Sequence, residues 1–276
     1  MIKLKDEKII LITGSTDGIG YQTAVELVKL GYTVIIHGRN QEKAELTIQR
    51  IKNDTNQNNI RAVYADLSSF SQIKDMSNMI YNHFDKLDVL INNAGVYKPK
   101  RQLTQEGLEE TFAVNYVAPF LLTNLLLNLL RNAKSSRIVN VVSRVQSNHL
   151  DLKNLQFETG YTGVKAYALS KTCLIMYTYI LAQKLRTENI TVNCLHPGVI
   201  NTKLQRTAMG FGGLSPSEGA KNLIYAATSP KLEDISGAYF MNNKSSPTKD
   251  ITYNKELQQK LWKKTEQLVG IEFKQF

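Results

Sequence analysis

The chain has 276 residues, of which 42% are hydrophobic and 21% are charged, and its 34 Lys and Arg against 24 Asp and Glu give a formal net charge of +10. This length suits one large domain or two small ones, since a domain usually has about 100–200 residues, and the composition excludes a disordered or collagen-like chain. The basic residues are spread along the chain, with one tight cluster at Lys98, Lys100 and Arg101. We therefore expect no nucleic-acid partner, because a phosphate-binding surface would concentrate them.

Targeting signals are not evident. The longest apolar stretch, residues 117–130, is interrupted by polar residues and is shorter than the roughly 18 residues that cross a bilayer. Residues 1–8 are charged and lack the apolar run of a secretory signal. Two cysteines and four scattered histidines make neither a disulfide framework nor a zinc motif. We expect a cytoplasmic protein with no membrane span and no metal site.

Short β-branched runs alternate with segments of helical periodicity, a pattern typical of a parallel sheet with crossover helices. Strands are predicted at residues 8–13, 33–37, 60–65, 89–91, 137–142, 191–195 and 238–241. Helices are predicted at residues 19–30, 41–52, 70–84, 108–131, 164–186 and 217–228. The pattern predicts an α/β fold, a single doubly wound Rossmann-type domain over residues 1–276, with about seven strands and helices on both faces. Residues 1–200 form its core.

Two later segments depart from this alternation. Residues 201–216 are rich in glycine and predict a flexible loop that serves as a lid. Its apolar residues either line a pocket or pack underneath an ordinary mobile loop: Leu204, Ala208, Met209, Phe211 and Leu214. Residues 253–270 predict an amphipathic helix that packs on the domain or on a partner subunit, rather than on a membrane surface.

The leucine-rich helix at residues 117–130 is apolar on most of its circumference, which indicates burial on two sides. We expect it to form a two-fold interface with the helix at residues 164–186. This pairing predicts a homodimer or a homotetramer.

The first predicted strand runs into a glycine-rich loop, from Thr13 through Gly14, Gly18 and Gly20, and then into a helix. Glycines at this spacing let the backbone turn tightly and approach a pyrophosphate at the helix N-terminus. An ordinary tight turn is the alternative for such a loop by itself. The spacing T-G-x-x-x-G-x-G differs from the G-x-G-x-x-G of larger dinucleotide-binding dehydrogenases.

Further motifs follow in order: Asp66-Leu67, Asn92 to Gly95, Asn115, Ser143, Tyr167 with Lys171, and Pro197 to Thr202. With these motifs the sequence resembles the short-chain dehydrogenase/reductase family. The length of the insert before Tyr167 and the segments after residue 215 resemble the retinol-dehydrogenase-like branch. The resemblance implies a set of cofactor-binding residues: Gly14, Ser15, Thr16, Gly18, Ile19, Gly20, Arg39, Asp66, Leu67, Asn93, Ala94, Gly95, Tyr167, Lys171, Pro197, Gly198, Val199 and Thr202.

Four residues are the candidate catalytic set: Asn115, Ser143, Tyr167 and Lys171. Tyr167 and Lys171 are four positions apart on a predicted helix, so the ammonium should lower the pKa of the phenol from about 10 and make it a usable acid or base. Ser143 follows a neighbouring strand and can hydrogen-bond the substrate oxygen. The resemblance implies that Asn115 holds a water against Lys171. By itself, Tyr-x-x-x-Lys also fits a surface helix pair.

The residue after the second strand usually indicates the cofactor: an acidic residue binds the ribose 2′-hydroxyl of NAD, whereas an arginine accommodates the 2′-phosphate of NADP. Arg39 stands there and no acid does, which favours NADP(H), with NAD(H) as the alternative; Asp17 in the glycine loop counts against NADP(H).

We therefore expect an NADP(H)-dependent oxidoreductase that interconverts an alcohol and its aldehyde or ketone. The resemblance implies a hydrophobic substrate, such as a retinoid, an isoprenoid or a long-chain carbonyl. One alternative is a soluble carbonyl reductase for small ketones and aldehydes, because the sequence shows no N-terminal anchor. Another is a non-catalytic dinucleotide-binding sensor or scaffold.

Overall fold

The computed structural model describes residues 8–273, apart from the Met209 side chain. The absence of a secretory signal was predicted from residues 1–8, of which residues 1–7 lie outside the described part of the chain. The described chain forms one eight-stranded sheet in the order β3-β2-β1-β4-β5-β6-β7-β8. Its strands are β1 Ile9–Ile12, β2 Thr33–Gly38, β3 Ile60–Tyr64, β4 Val89–Asn92, β5 Ser136–Val141, β6 Ile190–His196, β7 Tyr239–Met241 and β8 Lys244–Ser245. The first seven pair in parallel, and this confirms the predicted doubly wound α/β fold.

Helices cover both faces of the sheet, because most strands carry apolar side chains on each side. The helices are α1 Gly18–Lys29, α2 Gln41–Thr55, α3 Phe70–Tyr81, α4 Glu110–Phe112, α5 Ala118–Arg131, α6 Gly163–Lys184, α7 Lys203–Met209, α8 Pro216–Thr228 and α9 Lys255–Val269. Side chains of α1, α2 and α8 share one core layer with the sheet. Those of α3, α5, α6 and α9 share the other.

Two elements were not predicted. The antiparallel strand β8 follows a two-residue turn in which Asn242 and Asn243 both have positive φ, so it adds an eighth strand to the expected seven. Residues 201–216, expected to be a loop, contain the short helix α7. Thr202 caps its first turn and Gly210, at φ +74°, ends it. Both residues are ordinary helix-boundary signals that could have revealed this helix.

The helix pair assigned to a subunit interface is covered by other parts of the same chain. Trp262 of α9 stacks on Tyr177 of α6, with ring centroids 5.7 Å apart, and meets Phe120 of α5 edge-on at 5.0 Å. This confirms that the C-terminal helix packs on the domain. Part of the apolar surface from which the interface was inferred is therefore covered within the chain, and the interface between these helices stays a prediction. The homodimer or homotetramer itself stays a prediction.

One continuous helical stretch within residues 8–273, Glu110–Arg131, is long and apolar enough to cross a membrane by length and composition. The sequence analysis compared only the apolar run of residues 117–130 with the thickness of a bilayer, whereas the helical stretch begins at Glu110 and includes a π-helical turn at Ala113–Val117. Most of its apolar window, 83%, is buried inside the fold, as expected for a core helix.

Candidate active site

A cleft of about 640 Å³ opens at the carboxyl ends of the parallel strands, where doubly wound folds bind their ligands. One end is formed by Arg39, Asn40 and Lys43, and the other by Tyr167 and Lys171, with the glycine loop between them. Pockets of this size hold ligands as large as a dinucleotide. The cleft therefore fits the predicted cofactor in size and in its residues.

The glycine loop has a conformation and a packing that larger residues would disturb. Gly14 and Gly18 have φ of +62° and +58°, a region that favours glycine. A Cβ at Gly20 would lie 2.5 Å from the carbonyl oxygen of Gly14. Asp17 caps α1 by accepting a hydrogen bond from the backbone of Gly18. The loop thus brings the positive end of α1 to the middle of the cleft.

Asn93 and Thr13 join the glycine loop to the loop after β4. The Asn93 amide donates to the carbonyl oxygens of Thr13 (2.8 Å) and Gly14 (3.1 Å). The Thr13 hydroxyl accepts hydrogen bonds from the backbone N–H groups of Asn93 and Ala94, each at 3.0 Å. The predicted cofactor residue Asn93 lines the cleft, and its side chain also holds the two loops together.

The end of the cleft beside β2 is basic. Arg39 follows β2, and Lys43 lies in the first turn of α2 on the same wall. Asp66 also lines this end; burial raises the pKa of its carboxyl, but hydrogen bonds from Ser68 and the charge of Arg39 outweigh burial and lower it. Asp17 lines the cleft as well. Lys43 was missed by the sequence analysis, although its position four residues after Arg39 could have indicated it.

The Tyr167 ring and Lys171 lie together on α6 at the other end of the cleft. The ammonium of Lys171 is 5.8 Å from the centroid of the Tyr167 ring and donates a hydrogen bond of 2.9 Å to the carbonyl oxygen of Val141. Ser143 follows β5, and its Oγ accepts a hydrogen bond of 3.0 Å from the backbone of Val145. This bond uses one lone pair of the Ser143 hydroxyl and does not use its proton.

Burial shifts the pKa values of both Tyr167 and Lys171. It raises the pKa of the Tyr167 phenol to about 12, and a hydrogen bond with Ser143 acts in the opposite direction. Burial also lowers the pKa of the Lys171 ammonium to about 8. The predicted lowering of the phenol pKa is therefore wrong here, because desolvation is the largest effect on the Tyr167 phenol and raises its pKa.

Asn115 lies in the π-helical turn, fully buried, and holds the segment after β4. Its Oδ1 accepts a hydrogen bond of 2.8 Å from Val96, and its Nδ2 donates to the carbonyl oxygen of Val96 and to the hydroxyl of Ser170. Both Asn115 Oδ1 and Lys171 Nζ lie beside Gly95, within 3.5 Å of where a Cβ would stand. The structure thus brings Asn115 close to Lys171, and the bridging water stays a prediction.

Three predicted cofactor residues do not line the cleft. The Ser15 hydroxyl points back into the fold, donating to Ile12 and accepting from the backbone of His37. Gly198 provides a turn at φ +102°, and the Val199 carbonyl oxygen accepts a hydrogen bond from Leu214. The remaining predicted cofactor residues line the cleft: Gly14, Thr16, Gly18, Ile19, Gly20, Arg39, Asp66, Leu67, Asn93, Ala94, Gly95, Tyr167, Lys171, Pro197 and Thr202.

The apolar residues expected in the lid separate into two groups. Leu204 lines the cleft, whereas Phe211 and Leu214 are 61% and 60% exposed. The Met209 side chain lies outside the described part of the chain.

Tyr97, which the sequence analysis missed, lies beside the site, with its ring centroid 6.2 Å from that of Tyr167. No group of three or more His, Cys, Asp or Glu residues among residues 8–273 could hold a metal ion.

Comparisons with known proteins agree with this geometry. The family model for short chain dehydrogenases matches residues 8–209. Human polyprenol dehydrogenase is 37% identical over 97% of this chain and 86% of its own length, and human retinol dehydrogenase 13 is 35% identical over 96% and 85%. A structure titled as a putative uncharacterized protein from Mycobacterium paratuberculosis superposes with a TM-score of 0.80 at 25% identity, over 97% of this chain and 95% of its own. The chain therefore belongs to the short-chain dehydrogenase/reductase family, in its retinol-dehydrogenase-like branch, and is an oxidoreductase that acts on alcohols.

Proposed function

We propose that this enzyme uses NADP(H) to interconvert a lipophilic alcohol and its aldehyde or ketone. The observation that carries the proposal is the arrangement of one cleft, in which basic side chains stand at one end and Tyr167 and Lys171 stand at the other. Ser143 does not line the cleft but forms a hydrogen bond with Tyr167. Such a cleft holds a charged dinucleotide along its length and places an acid and a hydrogen-bond donor where its nicotinamide end would lie.

A bound nicotinamide cofactor supplies the hydride that reaches the carbonyl carbon. The Ser143 hydroxyl donates a hydrogen bond to the substrate oxygen and stabilises the negative charge that develops there. Tyr167, protonated at neutral pH because its pKa is about 12, gives its proton to that oxygen. The Lys171 ammonium stabilises the phenolate that remains. In alcohol oxidation the same groups work in reverse: Tyr167 must first release its proton to solvent, and its phenolate then accepts the proton of the alcohol hydroxyl.

The preference for NADP(H) rests on Arg39 and Lys43, which line the same end of the cleft. A 2′-phosphate between two cations forms charge-assisted hydrogen bonds that NADH cannot make. Asp17 on the same cleft opposes this preference. Arg39→Asp should weaken NADPH binding by roughly a hundredfold and NADH binding by less than about threefold, as measured by fluorescence titration. Equal weakening of both would show that Arg39 is structural.

A lipophilic substrate is supported by the relatives, which are named for polyprenol and retinol, and by the side chains of Leu204 and Tyr97 at the site. A second candidate, a carbonyl reductase for compact ketones and aldehydes, is favoured by the exposure of Phe211 and Leu214, which leaves the predicted lid incomplete.

The deciding experiment measures NADPH oxidation with retinal, a long-chain aldehyde and a compact ketone. We expect kcat/KM to be highest for the two lipophilic compounds, and Tyr167→Phe to lose turnover while still binding NADPH. A compact ketone preferred by more than about tenfold, roughly 1.4 kcal/mol of discrimination, would favour the second candidate. Equal, negligible rates for wild type and Tyr167→Phe, with NADPH still bound, would indicate a sensor or scaffold.

We propose in addition a cytoplasmic location and a homodimer or homotetramer. Cell fractionation and light scattering at micromolar concentration test these two proposals.

A further inference from the structure

The ring of His37, the fifth residue of β2, lies between two walls of the cofactor cleft. Its Nδ1 accepts a hydrogen bond of 3.0 Å from the backbone N–H of Gly14, and its Nε2 is 3.0 Å from the carbonyl oxygen of Ala65, just after β3. The side chain is 4% exposed. Sequence analysis assigned it no role.

These two contacts allow one state of the imidazole. The Gly14 amide requires a lone pair on Nδ1, and the Ala65 carbonyl requires a proton on Nε2, so the ring is neutral with its proton on Nε2. Burial lowers the pKa of His37 to about 4, the bond to Ala65 and the nearby Asp66 act to raise it, and Arg39 acts to lower it. The ring therefore keeps this state across the physiological pH range.

The backbone of His37 is tied to the same loop. Its N–H donates to the Ser15 hydroxyl at 2.9 Å, and its carbonyl oxygen accepts from the Ser15 backbone at 3.1 Å. On the opposite side, Gly14 is so close to the loop after β4 that a Cβ would lie 2.8 Å from the Cα of Ala94. The glycine loop is thus held between the His37 ring and Ala94. Both contacts therefore determine how far the loop lies from the end of the sheet.

We propose that His37 is a positioning residue of the cofactor site. Its ring fixes the distance between the glycine loop and the segment at Asp66. Because the glycine loop would face the pyrophosphate, this distance determines the affinity for both NADPH and NADH. Arg39, two residues further on, discriminates between those forms. The inference rests on the dinucleotide part of the proposed function and is independent of the substrate and of the NADP(H) preference.

Three substitutions separate the two contacts of the ring. His37→Asn keeps an acceptor close to the position of Nδ1 and loses the donor to Ala65. His37→Gln carries an amide N–H to about the reach of Nε2 and loses the acceptor for Gly14. His37→Ala loses both, and His83→Ala is the matched control, because His83 is exposed and lies just after α3, and its ring bonds to the carbonyl oxygen of Met79 near the end of that helix.

The experiment measures the Kd of NADPH and of NADH by fluorescence titration, the kcat and KM for the cofactor, and the Tm without cofactor. We expect His37→Ala and His37→Gln to weaken both cofactors by roughly tenfold or more, with the ratio of the two Kd values unchanged and kcat retained at saturation. His37→Asn should recover most of the affinity, even if its Tm falls as far as that of His37→Gln. His83→Ala should match the wild type.

Three results overturn the inference: unchanged Kd values in His37→Ala, weakening of NADPH alone, or losses of affinity in His37→Asn and His37→Gln that follow their losses in Tm. The first shows that the ring does not position the loop, the second makes it a determinant of phosphate specificity, and the third makes it purely structural. A wild type that binds neither dinucleotide refutes the cofactor part of the proposed function instead.

Discussion

Replacing Lys171, the proposed catalytic lysine, should make the protein without cofactor more stable while removing its activity. Lys171 is 3% exposed, and burial lowers the pKa of its ammonium from 10.5 to about 8. Each unit corresponds to about 1.4 kcal/mol, so keeping the ammonium charged at pH 7 costs the folded state about 3 kcal/mol. Lys171→Met removes that cost. It leaves the carbonyl oxygen of Val141 without its donor, which costs about 1–3 kcal/mol.

The net expectation at pH 7 is a gain of about 1 kcal/mol in the free energy of unfolding, or a rise of about 2–4 °C in Tm. The sign of the pH dependence follows from proton binding. Between pH 8 and 10.5 the unfolded chain binds the proton and the folded chain does not, so the wild type becomes more stable relative to Lys171→Met as pH rises. The advantage of the variant should therefore be largest below pH 8, disappear at about pH 9 and reverse towards pH 10.

The assay is thermal and urea unfolding of both proteins without cofactor between pH 6 and 10. Lys165→Met, at an exposed position on the same helix, is the matched control and should leave the stability unchanged. A variant less stable than the wild type at pH 7, or a stability difference that does not vary with pH, would refute the argument that burial of an uncompensated charge dominates here.

Three further outcomes are expected. Trp262→Ala removes the ring stacked on Tyr177 and should cost about 3–5 kcal/mol in urea unfolding; a cost under about 1 kcal/mol would mean that α9 does not pack as described. Gly20→Ala would place a Cβ 2.5 Å from a carbonyl oxygen of the glycine loop, so calorimetry should show NADPH binding weakened at least tenfold, and unchanged binding would contradict the crowding. Tyr97→Ala should raise KM for the carbonyl substrate several-fold and leave the Kd of NADPH unchanged, since its ring lies beside Tyr167, the proposed catalytic acid; equal effects on both would place Tyr97 in the cofactor site.

The sequence alone determined the features that depend on near neighbours in the chain. Apolar β-branched runs separated by helical periodicity specify a parallel sheet, and the glycines of residues 14–20 specify a tight turn into a helix. The four-residue spacing places Tyr167 and Lys171 on one helix face, and the periodicity of residues 253–270 specifies an amphipathic helix. A local sequence pattern predicts each of these features, and the structure contains each of them.

Only the tertiary structure decided what depends on the packing of remote segments. The burial that raises the phenol pKa of Tyr167 comes from surrounding elements, so the spacing to Lys171 could not reveal it. Trp262 reaches Tyr177 across the fold, and this contact covers part of the helix pair that the sequence analysis assigned to an interface. His37 meets Gly14 and Ala65 because β1, β2 and β3 lie side by side. Periodicity records which face of an element is apolar, whereas desolvation and hydrogen bonding depend on which distant atoms come to lie against that face.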